Sequence, residues 1–105
     1  MLNKYTNLVQ AINAFRSQGF IYNFYYKEKV GLICQENNRT YAQHQLKINE
    51  YHRFGSSRYP QNMSILFVIE CSDGLKGTIT SSYNDYMDGK LATFLSNVKV
   101  SVQSC

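Results

Sequence analysis

The clearest strand pattern in the chain lies between Met63 and Tyr83, where an apolar run is followed by an Asp-Gly turn and a run rich in Thr and Ser. Ile65, Phe67, Ile69 and Cys71 hold one register, and Ser64, Leu66, Val68 and Glu70 the other. Alternation with period two marks a strand, and a strand apolar in both registers is a central one covered on at least one side. Ser72-Asp73-Gly74-Leu75 follows, then a run from Lys76 to Tyr83 rich in Thr and Ser. Asp-Gly between two such runs predicts a hairpin with a two-residue type I′ turn, whose central residues both take positive φ. In the second arm Leu75 and Ile79 share one register, and Lys76, Thr78 and Thr80 the other, which predicts one wet face. Gly77 inside this arm marks a bulge or the close approach of an aromatic ring.

Before this hairpin, Leu8, Ala11, Ile12 and Phe15 form one stripe at helical spacing. Thr6 is the expected N-cap, and Gly19 fits the left-handed position past the helix end. Phe20, Tyr22, Phe24 and Tyr26 then alternate with Ile21, Asn23 and Tyr25 as a strand. Lys27-Glu28-Lys29 is a polar break of hairpin length, and a second strand runs from Val30 to Gln35. Glu36 to Thr40 is a loop by composition, and Tyr41 to Gln45 fits no pattern. Leu46, Ile48, Glu50, His52 and Phe54 alternate with Lys47, Asn49, Tyr51 and Arg53 as a third strand. A loop from Gly55 to Asn62 leads into the central hairpin. Near the end, Asp88 is placed to cap a helix whose stripe is Leu91, Phe94, Leu95 and Val98, with Val100 and Val102 extending it or forming a short tail. The order α-β-β-β-β-β-α predicts an α+β fold. Residues 1–105 are expected to form one domain, a single mostly antiparallel sheet of about five strands with the N- and C-terminal helices packed on one face.

Composition narrows the class. The chain has 105 residues, 44% of them hydrophobic and 14% aromatic, too apolar for disorder and the length of one domain. The longest apolar run, Ile65 to Ile69, is far too short to span a membrane. Asn and Gln interrupt the apolar pattern of the N-terminus, and no cleavage-site run follows, so neither a signal peptide nor a membrane role is expected and the predicted location is cytoplasmic. Cys34, Cys71 and Cys105 are odd in number and lack C-x-x-C spacing, which supports neither a disulfide framework nor a zinc site. Cys34 and Cys71 are expected as small buried hydrophobes, and no cofactor is implied. The net charge of +4 is spread along the chain without a cluster, the pattern of a solubilising surface.

Three stretches carry a resemblance: Asn49-Glu50-Tyr51-His52-Arg53-Phe54-Gly55, Met63-Ser64-Ile65-Leu66-Phe67-Val68-Ile69, and Ser72-Asp73-Gly74-Leu75-Lys76-Gly77-Thr78. Together with the helix and aromatic at Thr6 to Phe20, they resemble a family of small bacterial proteins of about this length often labelled phosphoribosylpyrophosphate synthetase. The resemblance implies a bacterial protein. The chemistry in that label needs convergent carboxylates to hold Mg²⁺ against phosphates. The sequence has no adjacent Asp/Glu pair and no phosphate loop of the G-x-x-x-x-G-K-[ST] kind, so that activity is not expected of it.

The nearest thing to a chemical cluster is Glu50, His52 and Arg53. On a strand Glu50 and His52 share a side and Arg53 takes the other. A carboxylate beside an imidazole can orient it for acid–base work, but a half-exposed strand with a cross-strand ion pair explains the same residues. Asp73 to Thr78 has the Gly, Lys and Thr of an anion-binding loop, yet a strand follows where such loops feed a helix. Tyr22, Tyr25 and Tyr26, with Arg53, Arg58 and Tyr59, would make an aromatic and basic sheet face. Such a face suits single-stranded nucleic acid or self-association. The expected function is a non-enzymatic interaction or accessory module that associates through this face, as a homodimer or with a protein partner. A small basic nucleic-acid-binding domain is the alternative. No catalytic or metal-binding residue is expected.

Overall fold

The computed structural model describes residues 7–55, 63–82 and 90–100. The expectations for Thr6, Asp88, Val102 and Cys105 fall outside the described residues. Helix α1 spans Leu8–Ser17. Its N-cap is Asn7 rather than Thr6: the Asn7 side-chain oxygen accepts the Gln10 N–H at 2.8 Å, satisfying one of the donors that a helix start leaves open. Gly19, with φ +102°, takes the left-handed position just past the end. Ala11 and Phe15 are buried, and Leu8 and Ile12 pack beside them.

The strands are β1 (Tyr22–Lys27), β2 (Gly31–Cys34), β3 (Thr40–Tyr41), β4 (Leu46–Phe54), β5 (Ser64–Cys71), β6 (Lys76–Ser82) and β7 (Lys99–Val100). A 3₁₀ turn at Gln43–Gln45 precedes β4, and helix α2 spans Lys90–Leu95. Among the described residues these strands form one seven-stranded sheet in the order β3-β2-β1-β6-β5-β4-β7. The β1–β2, β2–β3, β4–β5 and β5–β6 pairs are antiparallel, whereas β1–β6 and β4–β7 are parallel. This corrects the expected single antiparallel sheet of five strands: the sheet is mixed and curled into a half-barrel.

Gly77 is what lets the β1–β2 hairpin join the central meander. Tyr22 pairs with Gly77 in the short parallel contact, and a Cβ on Gly77 would collide with the Tyr22 carbonyl oxygen and come within 2.7 Å of the Phe24 ring. Of the two readings of Gly77, the close aromatic approach is the one observed. The β5–β6 connection also differs from expectation. The Gly74 N–H bonds the Cys71 carbonyl at 2.9 Å, and the Cys71 N–H bonds the Leu75 carbonyl at 2.8 Å. Gly74 takes φ +91° and Asp73 does not take positive φ, so the loop has three residues with one left-handed glycine rather than a type I′ pair.

The two helices lie on opposite faces, not together on one. Ile65, Phe67, Ile69 and Cys71 of β5 join a cluster with Leu91, Leu95 and Val98 of the C-terminal part. Leu66 and Val68, the alternate residues, join Ala11 and Phe15 of α1. Leu32 of β2 and Leu46 of β4 lie in the α2 cluster although three strands separate them in the sheet, which places α2 inside the curl. Burial therefore extends to both faces of β5, as its apolar registers require. Thr78, expected on a wet face, is 4% exposed.

A register shift between Ile48 and Glu50 places one extra residue, Asn49, in β4. Leu46 and Ile48 face the α2 cluster, but Phe54 joins the α1 cluster. A bulge adds one residue and so exchanges the faces of everything after it. The single register from Leu46 to Phe54 read from alternation is therefore two half-registers.

Candidate functional site

The structure divides the expected site residues. Glu50 and His52 share the α1 face of β4, with His52 Nε2 3.1 Å from Glu50 Oε1. The imidazole sits between Phe15, at a ring-centroid distance of 5.7 Å, and Phe54, at 6.4 Å. Its surroundings are those of a ring packed under α1. Arg53 pairs with Ile65 and lies on the opposite face. Tyr22 and Tyr26 pack against the α2 cluster, while Tyr25 pairs with Ile33 and is 40% exposed. Arg58 and Tyr59 lie outside the described residues. The three tyrosines thus do not share one face, because neighbours along a strand point to opposite sides.

Asp73 is occupied structurally. Its carboxylate accepts the Leu75 N–H at 3.1 Å, the Tyr41 hydroxyl at 2.9 Å and the Arg39 guanidinium at 2.9 Å. The Leu75 N–H foremost, with Tyr41 and Arg39 after it, holds the Asp73 carboxyl below its ordinary value of 3.8. Asp73 thus supplies the loop with an internal anion. Burial, reinforced by Asp73, pushes the Tyr41 hydroxyl up to about 12. Burial also pushes the nearby Cys71 thiol up to about 12. A thiol so protonated is a poor nucleophile.

A concavity lies elsewhere, between the β1–β2 turn and α2. The turn closes with the Val30 N–H on the Lys27 carbonyl at 3.0 Å. Its third residue, Lys29, has φ +71°, a position that favours glycine. Gly31, with φ +118°, follows, and a Cβ there would collide with the Tyr41 carbonyl oxygen and press on the Phe94 ring at 3.4 Å. This glycine lets β2 pass close beneath α2. The Tyr26 and Phe94 rings stand 5.4 Å apart at 51° and form the aromatic wall. Gln43 Nε2 donates to the Phe94 carbonyl at 3.0 Å and ties the 3₁₀ turn to α2. The resulting bowl is about 450 Å³, with exposed Lys29 and Lys90 on its rim beside Glu28.

This bowl was not read from the sequence. Its parts come from residues 26–31, 42–43 and 90–94, which no local pattern connects. The available signal was Gly31, a glycine at the start of a strand directly after a polar break. Among the described residues no group of three His, Cys, Asp or Glu is placed to hold a metal ion, and no helix is long and apolar enough to cross a membrane. Comparison of the chain with protein-family models, with curated proteins and with solved structures finds no match in any of the three.

Proposed function

We propose that this protein is a binding module that holds a small anionic ligand with a flat apolar part in the bowl between the β1–β2 turn and α2. The observation that carries this reading is Lys29. A lysine in the left-handed region is strained by about 1–2 kcal/mol relative to glycine. Strain of this kind is concentrated where side chains serve a ligand. Here it fixes a cation on the rim of a cavity whose wall is the Tyr26–Phe94 pair, with Lys90 as a second cation. Flat rings stack on aromatic walls, and ammonium groups attract carboxylates and phosphates. Association through an open aromatic sheet face does not carry forward, because α1 packs on one face and α2 on the other.

Titration of the ¹⁵N-labelled protein with phenyl phosphate tests this. The amides of Lys29, Gly31, Lys90 and Phe94 are expected to shift together, and added salt is expected to weaken the effect. The Lys29→Ala, Lys90→Ala double variant should bind about tenfold more weakly, ~1.4 kcal/mol. Shifts confined to other regions, or affinity unchanged in the double variant, would overturn the reading.

A further inference from the structure

Lys47, Glu70, Lys76 and Lys99 are far apart in the sequence, but the sheet sets them in one row. Lys99 of β7 stands opposite Lys47 of β4, Lys47 opposite Glu70 of β5, and Glu70 opposite Lys76 of β6. Their chain neighbours Leu46, Ile48, Ile69, Cys71 and Val98 belong to the α2 cluster, so the row lies on the other face of the sheet, the one that carries α1. Three cations thus share one acid. Glu70 pairs with Lys47 at 3.8 Å and accepts from the Asn49 side-chain amide at 3.3 Å. The Lys76 ammonium lies over the Phe20 ring, 5.5 Å from its centroid. Lys99 is exposed on the outermost strand among the described residues, and its one neighbour in the row is another lysine. No described acid lies within ion-pair reach of it. Like charges directly opposite on adjacent strands destabilise a sheet. A concavity of about 290 Å³ opens at this end of the row, and Lys47, Glu70 and Lys99 line it with His44 and Ser72.

We propose that this concavity binds a phosphate monoester dianion between the Lys47 and Lys99 ammonium groups. Three lysines against one glutamate leave two positive charges, which a dianion neutralises and a monoanion does not. An anion between the two lysines turns their mutual repulsion into two attractions. Each ammonium offers three rotatable donors, and the His44 ring and the Ser72 hydroxyl add donors at the rim. The volume exceeds that of a phosphate group and leaves room for a small ester substituent. This site shares no residue with the bowl at Lys29 and Lys90 and stands independently of it.

The test is titration of the ¹⁵N-labelled full chain with methyl phosphate and with dimethyl phosphate at constant ionic strength. At about pH 8 the monoester is a dianion, whereas the diester, the chemistry of a nucleic-acid backbone, stays a monoanion. Methyl phosphate is expected to shift the amides of His44, Lys47, Ser72 and Lys99, and dimethyl phosphate to bind at least about tenfold more weakly. Lys99→Gln should weaken methyl phosphate about tenfold. Glu70→Gln should tighten it about threefold, because it removes the one negative charge beside the site. Lys99→Gln should also be no less stable than the parent in urea, since it relieves a repulsion. The Lys29→Ala, Lys90→Ala variant should keep the shifts at Lys47 and Lys99. Equal binding of the diester would overturn the proposal. So would unchanged affinity in Lys99→Gln, weaker binding in Glu70→Gln, a lower urea midpoint for Lys99→Gln, or shifts confined to the bowl.

Discussion

Gly77 lies directly against the ring of Phe24, so close that a single added methyl group would come within 2.7 Å of it. The same methyl would strike the Tyr22 carbonyl oxygen, which belongs to the parallel β1–β6 contact. Backbone cannot swing aside as a flexible side chain can. Gly77→Ala is therefore expected to destabilise the fold by about 2 kcal/mol, within the usual range for overpacking. Urea denaturation followed by circular dichroism measures this, and an unchanged midpoint would mean that β1 does not dock on β6 as described.

Lys29 offers the opposite experiment. Its φ of +71° disfavours any side chain with a Cβ. Lys29→Gly is expected to raise stability by about 1 kcal/mol while weakening phenyl phosphate binding. Lys29→Ala should weaken binding without the gain in stability. Paired denaturation and titration curves separate the two effects, and a loss of stability in the glycine variant would show that the turn is unstrained.

How much of this was legible in the sequence depends on the range of each interaction. Helix α1 and the hairpins β1–β2 and β5–β6 follow from periodicity and local turn residues, so alternation and glycines reveal them. The parallel joints β1–β6 and β4–β7 bring together distant segments in contacts of two residues each, too short to leave a pattern. The bulge at Asn49 leaves no mark on composition, yet it decides that Tyr51 and Arg53, not Glu50 and His52, face the inner side of the half-barrel. Alternation puts Glu50 and His52 on one side, and they meet at 3.1 Å. That pair lies after the bulge, where period two holds. The assignment of both helices to one face failed because β5 is apolar in both registers, and each register takes its own helix.

Asp73 makes stability depend on acid. Its carboxyl is held below the ordinary 3.8 by the Leu75 N–H first, then by Tyr41 and Arg39. A carboxyl with a depressed folded-state value contributes stability that is present above the unfolded value and lost as pH falls through the folded one. Arg39 is largely exposed, so its share is small. Asp73→Asn should lower stability by about 1 kcal/mol at neutral pH and flatten the acid limb of the denaturation midpoint against pH. An unaltered acid limb would place the acid sensitivity on another carboxyl.

Cys71 and Tyr41 set the alkaline limb. Burial raises the thiol from 9.0 to about 12, and the hydroxyl from 10.0 to about 12. The unfolded chain then loses these protons before the folded one does, so stability falls as pH rises past the unfolded values. Cys71→Ala should make that decline shallower. The same protonation predicts chemistry: the thiolate is the reactive form, so Cys71 in the folded protein should resist iodoacetamide at mildly alkaline pH. Mass spectrometry of peptides labelled across a urea series gives the readout. Labelling of Cys71 should rise only with global unfolding. Prompt labelling without urea would mean that the β5 end opens locally, which would also loosen the neighbouring Asp73–Tyr41 contact.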